Sequence, residues 1–424
     1  MDSLPPLEDF DDGFNPFTAF LTLGGEGHVE MPLEQLAELG KQHAVIEADM
    51  QTYFGVPAQA WLGPDVPTFM VLTYEAVNQV LMKPEIFSNK AYVPTAGQFF
   101  GRSITTMDGQ EHTKYRKLFQ EGFTPKMLAV LRPRFQSVVD KLMAKFADRG
   151  HAELVSEFAM HFPFHFICSL MDLPEEGLPL FHKMSLGQTS YVFDQKHGKE
   201  ASEKLGRYLE ALIAQRRALK SPTDFVSVIA NAEIDGERLP DDVVLGFFRQ
   251  LMNAGGDTSF QSFSNIMALL FQNPDQLELL RKDQKLIPRA IEEGIRLGAP
   301  ITAIDRVTTE DVELGGVMMP KGALVRVCIG AANRDERVWK NPNDFEVMRD
   351  PVRPVTFGYG VHVCIGQFLG RMELQLALAA LLDRLPNIRI DPDMPAPKTR
   401  GLTFRGTDAV HVKWDLPVRW AREV

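Results

Sequence analysis

Apolar positions recur with a helical period along most of the chain, so the sequence predicts a mainly α-helical protein. Two shorter apolar runs rich in β-favouring residues predict strands that build only small β-sheets. The remaining stretches, above all residues 1–30 and 88–108, show little periodicity. The predicted helices cover Leu33–Gln42, Tyr74–Met82, 126–148, 157–171 and 200–219, and the predicted strands cover Ala44–Ala48 and Phe69–Thr73.

One predicted helix is much longer than the others. It begins at Pro240-Asp241-Asp242, where proline and acidic residues favour a helix N-terminus, and its apolar pattern continues to about Gln272. A helix of roughly 30 residues crosses a whole domain. Its middle carries two adjacent glycines, each of which costs roughly 1 kcal/mol relative to alanine. This pair predicts either a packing site where another backbone passes close or a functional groove.

A glycine-rich stretch with one cysteine, Phe357–Gly366, lies near the C-terminus and is followed by the helical pattern 367–374. Glycines at 358, 360 and 366 permit close backbone approach and conformations that side chains disfavour. The N-terminus of the following helix favours a thiolate at Cys364. Such a thiolate is a suitable haem-iron ligand. The alternative is that Cys364 is a small buried apolar residue.

The spacing of Phe357, Gly360, Cys364 and Gly366 resembles the haem-binding loop of the cytochrome P-450 superfamily. This resemblance implies haem b with Cys364 as its axial iron ligand, and Phe357, Gly358 and Gly366 beside it. It also implies a single-domain cytochrome P-450 fold over residues 31–424, preceded by an irregular arm at 1–30. The haem would lie between the long central helix and the cysteine loop with its following helix.

The same resemblance assigns a role to the middle of the long helix. Ala254 and Gly255 would form a widened groove above the haem iron, where O2 binds. Asp257 and Thr258 match the family's acid–alcohol pair, which delivers protons to the distal oxygen. The glycine pair and the following acid then serve catalysis.

His112 and Arg116 lie four residues apart on a helix predicted to open at Asp108. This spacing suits either a two-pronged grip on an anionic group or a solvated surface pair. The resemblance places them on the haem propionates, together with Arg306 and His362.

Glu293 and Arg296 are spaced i,i+3 on a predicted helix. By itself such a pair is an ordinary surface contact worth about 0.2–0.5 kcal/mol. The resemblance implies instead a buried structural network that these residues form with Arg349 behind the thiolate loop.

The substrate pocket is expected above the haem, covered by the 88–108 loop and by a mobile lid at 174–199. The helical period places Gln250 and Asn253 near the haem-facing side of the long helix. Their amides either bind an oxygen handle of the substrate (a ketone, alcohol or carboxylate) or bond neighbouring backbone. The full predicted lining is Phe99, Phe100, Gln250, Asn253, Ala254, Ile301 and Ile304.

Charge and cysteine content exclude several classes of function. A net charge of −11 over 424 residues, with no basic run, argues against nucleic-acid binding. Three cysteines form no framework of bridges and indicate a reducing compartment. The acidic N-terminus has no apolar run of about 20 residues, so we expect no membrane anchor. A cytoplasmic monomer of the bacterial type is predicted.

The function implied is that of a haem-thiolate monooxygenase, which inserts one atom of O2 into an apolar C–H or C=C bond. Electrons would come from a ferredoxin and an NAD(P)H-dependent ferredoxin reductase. The ferredoxin would dock on a local basic patch of Lys114, Lys117, Arg353 and Arg371. The alternatives are a haem-thiolate peroxygenase or isomerase and a non-catalytic haem sensor. The sequence does not identify the substrate.

Overall fold

A computed structural model of the protein describes residues 4–57, 63, 65–219 and 224–417. Residues 1–3 of the predicted arm and 418–424 of the predicted domain lie outside the described residues. The α-helices are α1 Pro16–Thr22, α2 Pro32–Gln42, α3 Met50–Tyr53, α4 Tyr74–Met82, α5 Ala96–Phe100, α6 Gly109–Phe119, α7 Pro125–Met143, α8 Phe162–Leu170, α9 Leu178–Thr189, α10 Gln195–Arg217, α11 Phe225–Ala230, α12 Asp241–Gln272, α13 Pro274–Lys282, α14 Ile287–Leu297, α15 Ile329–Ala332 and α16 Gln367–Arg384.

The strands are short. They are β1 Val45–Glu47, β2 Thr68–Val71, β3 Phe87–Ser88, β4 His151–Glu153, β5 Glu233–Ile234, β6 Glu237–Arg238, β7 Ile304–Thr308, β8 Val312–Leu314, β9 Val317–Met319, β10 Leu324–Val327, β11 Arg389–Ile390, β12 Thr399–Arg400, β13 Gly406–Thr407 and β14 His411–Lys413. The largest sheet has the order β1-β2-β10-β7-β3, in which only the β2–β10 pair is parallel. The prediction of a mainly α-helical chain with small sheets is confirmed.

The long helix α12 runs without interruption through the largest apolar core and packs against α8, α9, α10, α14 and α16. A Cβ built on Gly255 would lie 2.5 Å from Ile167 Cδ1, and one on Gly256 would lie 3.0 Å from Phe164 Cδ2. The two glycines therefore let α8 pack closely against α12. The close neighbours are side chains of α8 rather than another backbone.

The N-terminal arm is not wholly irregular, which corrects the prediction for residues 1–30. Asn15 accepts a hydrogen bond from the Phe17 backbone, and Pro16 occupies the first turn of α1. Both features are ordinary helix-start signals.

Upstream of α1, the arm is held on α9 and α10 by a buried aromatic ring and by ion pairs. Phe10 is 5% exposed. Asp9 lies 2.8 Å from Lys183, and Asp11 lies 2.7 Å from Lys204. The acidic composition of the arm thus matches basic side chains on these two helices.

The segment 88–108 also contains a helix that its weak periodicity did not predict. α5 has no side-chain cap at its N-terminus, and it ends at Gly101, whose φ is 80°. Its backbone is fixed from outside, because Ser202 Oγ on α10 donates a hydrogen bond of 2.7 Å to the Phe99 carbonyl. Tertiary packing, rather than local sequence, therefore makes this segment helical.

Among the described residues, no helix combines the length and the apolar character needed to cross a membrane.

Candidate active site

The cysteine loop lies in the segment between α15 and α16 and is shaped by two glycines. Gly358 and Gly360 have φ values of 71° and 70°, and a Cβ on Gly360 would lie 2.5 Å from the Leu81 carbonyl oxygen. Gly366 has a φ of −82°, so its backbone does not require glycine. The Cys364 backbone N–H donates to the Phe357 carbonyl at 2.8 Å. The loop is therefore closed on itself at the cysteine.

The thiol of Cys364 faces a cavity, which we call the thiol cavity. It lies between α12 and residues 357–366 and has an empty volume of about 1180 Å³. Burial raises the pKa of Cys364, while the Gly366 backbone N–H, Arg116 and Arg371 act to lower it. Cys364 has accessible surface because its side chain faces the open space of the thiol cavity. The surrounding protein nevertheless desolvates its sulfur. Cys168 and Cys328 are buried.

Opposite the thiol, α12 contributes Ala254 and Thr258 to the lining of the thiol cavity. Thr258 Oγ1 donates a hydrogen bond of 2.9 Å to the Ala254 carbonyl. The hydroxyl is thereby oriented against its own helix, and its lone pairs are left for a group in the cavity. The alcohol and the thiol therefore line the same cavity.

Asp257 points towards a different neighbour. Its Oδ1 lies 3.5 Å from Nε2 of His182 on α9, and neither atom has a hydrogen-bond partner among the described residues. Asp257 is 5% exposed and His182 is 6% exposed. His182 stacks on Phe164 with a centroid distance of 4.5 Å. The predicted acid therefore contacts a buried histidine on the predicted lid rather than sharing the lining with Thr258.

The residues predicted to hold an anion come together on one side of the thiol cavity. Both ring nitrogens of His112 are buried without a hydrogen-bond partner among the described residues, and burial lowers its pKa to about 4. Arg116 donates to the Val363 carbonyl, and Arg306 Nη1 donates to the Asp305 carbonyl at 2.7 Å. All three side chains line the cavity.

His362 also lines this cavity, but its ring is already engaged. Nε2 lies 2.9 Å from Asp108 Oδ1, and Nδ1 lies 3.1 Å from Asn89 Nδ2. These contacts leave neither nitrogen for a propionate, in contrast to the predicted role. Asp108, whose carboxylate also binds Ser88, explains why α6 has no side-chain cap at its start.

Glu293, Arg296 and Arg349 form buried contacts, the arrangement that the family resemblance implies and not the surface pair that the spacing alone suggests. Glu293 Oε1 accepts from Arg296 Nη2 at 2.8 Å and from Arg349 Nε at 2.9 Å. Burial would raise the pKa of Glu293, but the two arginines hold it below its usual value.

This buried network, Glu293–Arg296–Arg349, reaches the cysteine loop through one asparagine. Arg296 Nη1 donates to the Asn333 carbonyl at 2.8 Å, and the Asn333 side chain bonds Thr356 Oγ1 and the Val355 N–H, both at 2.8 Å. The network therefore anchors the chain immediately before Phe357.

A second cavity, which we call the outer cavity, has an empty volume of about 920 Å³ and shares Tyr92, Thr105, Ile301 and Ile304 with the thiol cavity. Most of the predicted pocket residues line it: Phe99, Phe100, Asn253, Ile301 and Ile304. Gln250 and Ala254 line the thiol cavity instead.

Both predicted pocket amides bond protein groups. Asn253 Nδ2 donates to the Ser185 carbonyl at 3.0 Å, and Gln250 Nε2 donates to Thr105 Oγ1. Asn253 thus bonds backbone, as the second of the two alternatives has it, whereas Gln250 bonds a side-chain hydroxyl. Asn253 also lines the outer cavity.

The model of the cytochrome P-450 family matches residues 31–171 and 188–403 of the chain. These residues span both walls of the thiol cavity. The chain belongs to the cytochrome P-450 family.

Its relatives include bacterial enzymes. The cytochrome P-450 monooxygenase PikC of Streptomyces venezuelae is 30% identical over 84% of this chain and 85% of its own length. The 6-deoxyerythronolide B hydroxylase of Saccharopolyspora erythraea is 32% identical over 75% of this chain and 79% of its own length. The solved structure of the cytochrome P-450 enzyme CxnD, for C–S bond formation in chuangxinmycin biosynthesis, is 31% identical, with a TM-score of 0.82 over 94% and 98% of the two chains. The chain is thus a cytochrome P-450 monooxygenase that binds haem b.

The thiol cavity of this cytochrome P-450 suits a haem. It has a thiol on one wall, and the unpartnered His112 nitrogens with Arg116 and Arg306 at its edge. Buried polar atoms without partners are unfavourable unless a ligand satisfies them, and a propionate supplies an acceptor for the single N–H of the neutral His112 ring and for the two arginines.

Two buried groups of this cytochrome P-450 escaped prediction. His182 is one of two histidines in the lid segment, and nothing in its local pattern indicates a contact 75 residues away. Glu373 on α16 is fully buried beside Ser259 of α12, and burial raises its pKa well above the usual range. Its neighbours in sequence read as an ordinary helix, so only tertiary contacts reveal it.

Proposed function

We propose that this cytochrome P-450 hydroxylates or epoxidises a small to medium apolar substrate, using O2 and two electrons from a ferredoxin. The observation that carries the proposal is the thiol cavity, which has Cys364 on one wall and the Ala254–Thr258 turn of α12 on the other. The apolar outer cavity opens beside it and provides room for the substrate.

Each site residue has a role in this proposal. Cys364 ligates the haem iron as a thiolate, and His112, Arg116 and Arg306 hold the propionates. When bound, the haem supplies the chemistry that activates O2 for insertion into the substrate. The Thr258 oxygen accepts a hydrogen bond from a proton-donating group in the cavity. Asp257, which does not itself line the cavity, supplies protons to that group. The apolar lining excludes bulk water.

The electron donor proposed is a small acidic iron–sulfur protein that docks near the cysteine loop. The predicted basic patch is less basic than its sequence suggests. Arg371 lies 2.5 Å from Glu292, and Lys114 lies 3.2 Å from Asp235. The Arg353 guanidinium lies 4.3 Å from the centroid of the Tyr359 ring, so an aromatic ring and not an acidic side chain faces its charge. The docking charge therefore rests on Lys117 and Arg353.

Replacing the proposed ligand tests the assignment directly. Haem-loaded wild-type enzyme, reduced and exposed to CO, should give the long-wavelength Soret band characteristic of a thiolate ligand, and Cys364→Ala should lose it. Cys168→Ala and Cys328→Ala serve as controls that should keep the band. Retention of the band in Cys364→Ala would refute the proposed ligand.

Turnover separates a monooxygenase from a peroxygenase. Product should form with NAD(P)H, ferredoxin reductase, ferredoxin and O2, and its amount should follow NAD(P)H consumption. Efficient product formation with hydrogen peroxide alone, and none with the electron donors, would contradict the proposal. The cytoplasmic location and the monomeric state stay predictions.

A further inference from the structure

The second half of the N-terminal arm, residues 16–30, lies behind the wall of the outer cavity and meets two segments of that wall. One segment is the end of α9 and the turn after it, where Thr189 and Val192 line the cavity. The other is the turn between β12 and β13, where Thr403 and Phe404 line it. The arm is therefore placed to act on the cavity through both segments.

Phe20 of α1 joins the two wall segments with one aromatic ring. It meets the Phe193 ring edge to face with 4.8 Å between the centroids, and it meets the Phe404 ring in the same way at 5.0 Å. Aromatic pairs with this geometry contribute more than the area they bury. Phe193 directly follows Val192 of the cavity lining, and Phe404 itself lines the cavity. Phe20 thus links the lid segment to the β12–β13 turn.

Glu26, which follows α1 in the arm, holds the same turn by hydrogen bonds. It is 4% exposed, and its Oε2 accepts from the backbone N–H groups of Leu402 at 2.7 Å and Thr403 at 2.8 Å. Its Oε1 accepts from Thr403 Oγ1 at 2.5 Å. The turn is also joined to Ile301 by a β-bridge at Phe404. Its position therefore depends on the arm as well as on the protein core.

The first half of the arm makes its aromatic contacts elsewhere. Phe14 stacks on His197 of α10 with 4.0 Å between the centroids, and Phe10 meets Phe14 edge to face at 5.1 Å. None of these three residues is among the described residues that line the outer cavity. Phe14 is therefore a natural control for Phe20, because it has the same ring in the same arm but not the same contacts.

We propose that Phe20 is a positioning residue that limits the width of the substrate in the outer cavity. A broad ligand would have to push Phe193 and Phe404 apart, and their shared contact with Phe20 opposes that movement because close-packed groups resist displacement. Glu26 gives the same support from the side of the turn. This inference rests on the proposed function and narrows its substrate class to apolar molecules that are slim at the end remote from the oxidised carbon.

The test uses haem-loaded wild-type enzyme and two imidazoles that ligate the iron. One carries a tetradecyl tail and the other an adamantyl cage on a butyl tether, so the tails have equal numbers of carbon atoms and differ in width. Ligation moves the Soret band to longer wavelength, and titration of this shift gives both affinities. The ratio of the two affinities is insensitive to changes in access of the imidazole to the iron, which both probes share.

Phe20→Ala should raise the affinity for the cage relative to the chain about tenfold, because Phe193 and Phe404 can then move apart. Phe20→Tyr keeps the ring and should keep the wild-type ratio. Phe14→Ala removes a ring of the same size from the same arm and should also keep it. An unchanged ratio in Phe20→Ala, or an equal change in Phe14→Ala, would overturn the proposal.

Glu26 and the turn that it holds provide a second test. Glu26→Ala removes the acceptors and should move the ratio in the same direction as Phe20→Ala, whereas Glu26→Gln keeps an oxygen for the two N–H groups and should move it less. Amide hydrogen exchange measures the turn without an added ligand. Exchange at Leu402 and Thr403 should rise in Phe20→Ala and not in Phe14→Ala. Unchanged exchange in Phe20→Ala would contradict its hold on the turn.

The CO complex separates failure of this inference from failure of the proposed function. A wild-type enzyme with the thiolate band, whose affinity ratio is unaffected by Phe20→Ala, would contradict only the positioning role. A wild-type enzyme without the band would contradict the proposed function itself.

Discussion

The two walls of the thiol cavity satisfy their buried polar groups in opposite ways. Behind the cysteine loop, Arg296 donates to Glu293 and to the carbonyls of Asn333, Pro342 and Asp344. On the α12 side, Oδ1 of Asp257, Nε2 of His182 and Oε1 of Gln250 have no hydrogen-bond partner among the described residues.

This difference follows from what each wall does. A metal ligand needs a fixed position, and a fully bonded network provides one. Proton transfer and ligand binding need groups whose bonds are free to form during the reaction, and incompletely bonded groups provide them. The thiol side therefore depends on interactions that stabilise the fold, while the α12 side keeps groups available for chemistry. Glu373 on the thiol side is an exception, because both oxygens of its buried carboxyl group have no hydrogen-bond partner among the described residues.

The largest effect is expected from breaking the bonded wall. Arg296→Met leaves Glu293 buried with one arginine, Arg349, and removing one partner of a buried ion pair costs about 3–5 kcal/mol. Denaturant unfolding and haem retention would measure the loss. Lys41→Met, which breaks an exposed pair of the same i,i+3 spacing with Glu38, is the matched control and should change stability far less. Equal losses in the two variants would contradict a special role for the buried network.

Changes on the α12 side should leave stability nearly intact and reduce catalysis. Asp257→Asn should slow turnover about 10²-fold, because the amide cannot supply protons. Thr258→Ala should keep substrate binding and release hydrogen peroxide in place of product. Measurements of product and peroxide per NAD(P)H consumed would check both. Unchanged coupling in both variants would argue against the acid–alcohol pair.

The walls also differ in how far the sequence predicts them. The thiol wall is encoded locally, since the spacing of Phe357, Gly360 and Cys364 and the following helical pattern lie in one stretch. α4 and α12 were likewise predictable within one residue, because caps and periodicity agree.

The α12 wall depends on contacts between distant segments. The Asp257–His182 pair joins two helices 75 residues apart, and α5 is fixed by Ser202 rather than by its own caps. The thiol wall has one such contact too, since His362 of the cysteine loop is engaged by Asp108, 254 positions away. Local patterns contain no information on such pairs, so these features required the structure.

A smaller effect is expected at His182. His182→Phe can keep the stacking on Phe164 but removes the nitrogen that faces Asp257, so the acid loses the group that positions it. Turnover should fall roughly tenfold, which corresponds to about 1.4 kcal/mol of transition-state stabilisation. The pH dependence of turnover should change as well, and folding should not. The Asp257→Asn background provides the control, since there the His182 change should have little further effect.

The smallest effect concerns the electron donor. Lys117→Glu should reduce the rate of reduction by ferredoxin several-fold at low ionic strength, because charges at the rim of an interface mainly alter the association rate. The difference should disappear at high salt, where such charges are screened. Rapid-mixing measurements at two salt concentrations would show it, and identical low-salt rates would place the docking surface elsewhere.

The N-terminal arm has a consequence for the order in which the molecule assembles. Its partners Lys183 and Lys204 follow Asp9 by 174 and 195 residues, so the arm has no surface to dock on until α9 and α10 have been made and packed. Contacts that close so large a loop form late, and the ion pairs of the arm, whose Asp9 and Asp11 carboxylates are exposed, add little to hold them. The arm should therefore be the last segment to settle during folding and the first to open in the native state. Amide protons of residues 4–15 would then exchange before those of α9, which the arm covers.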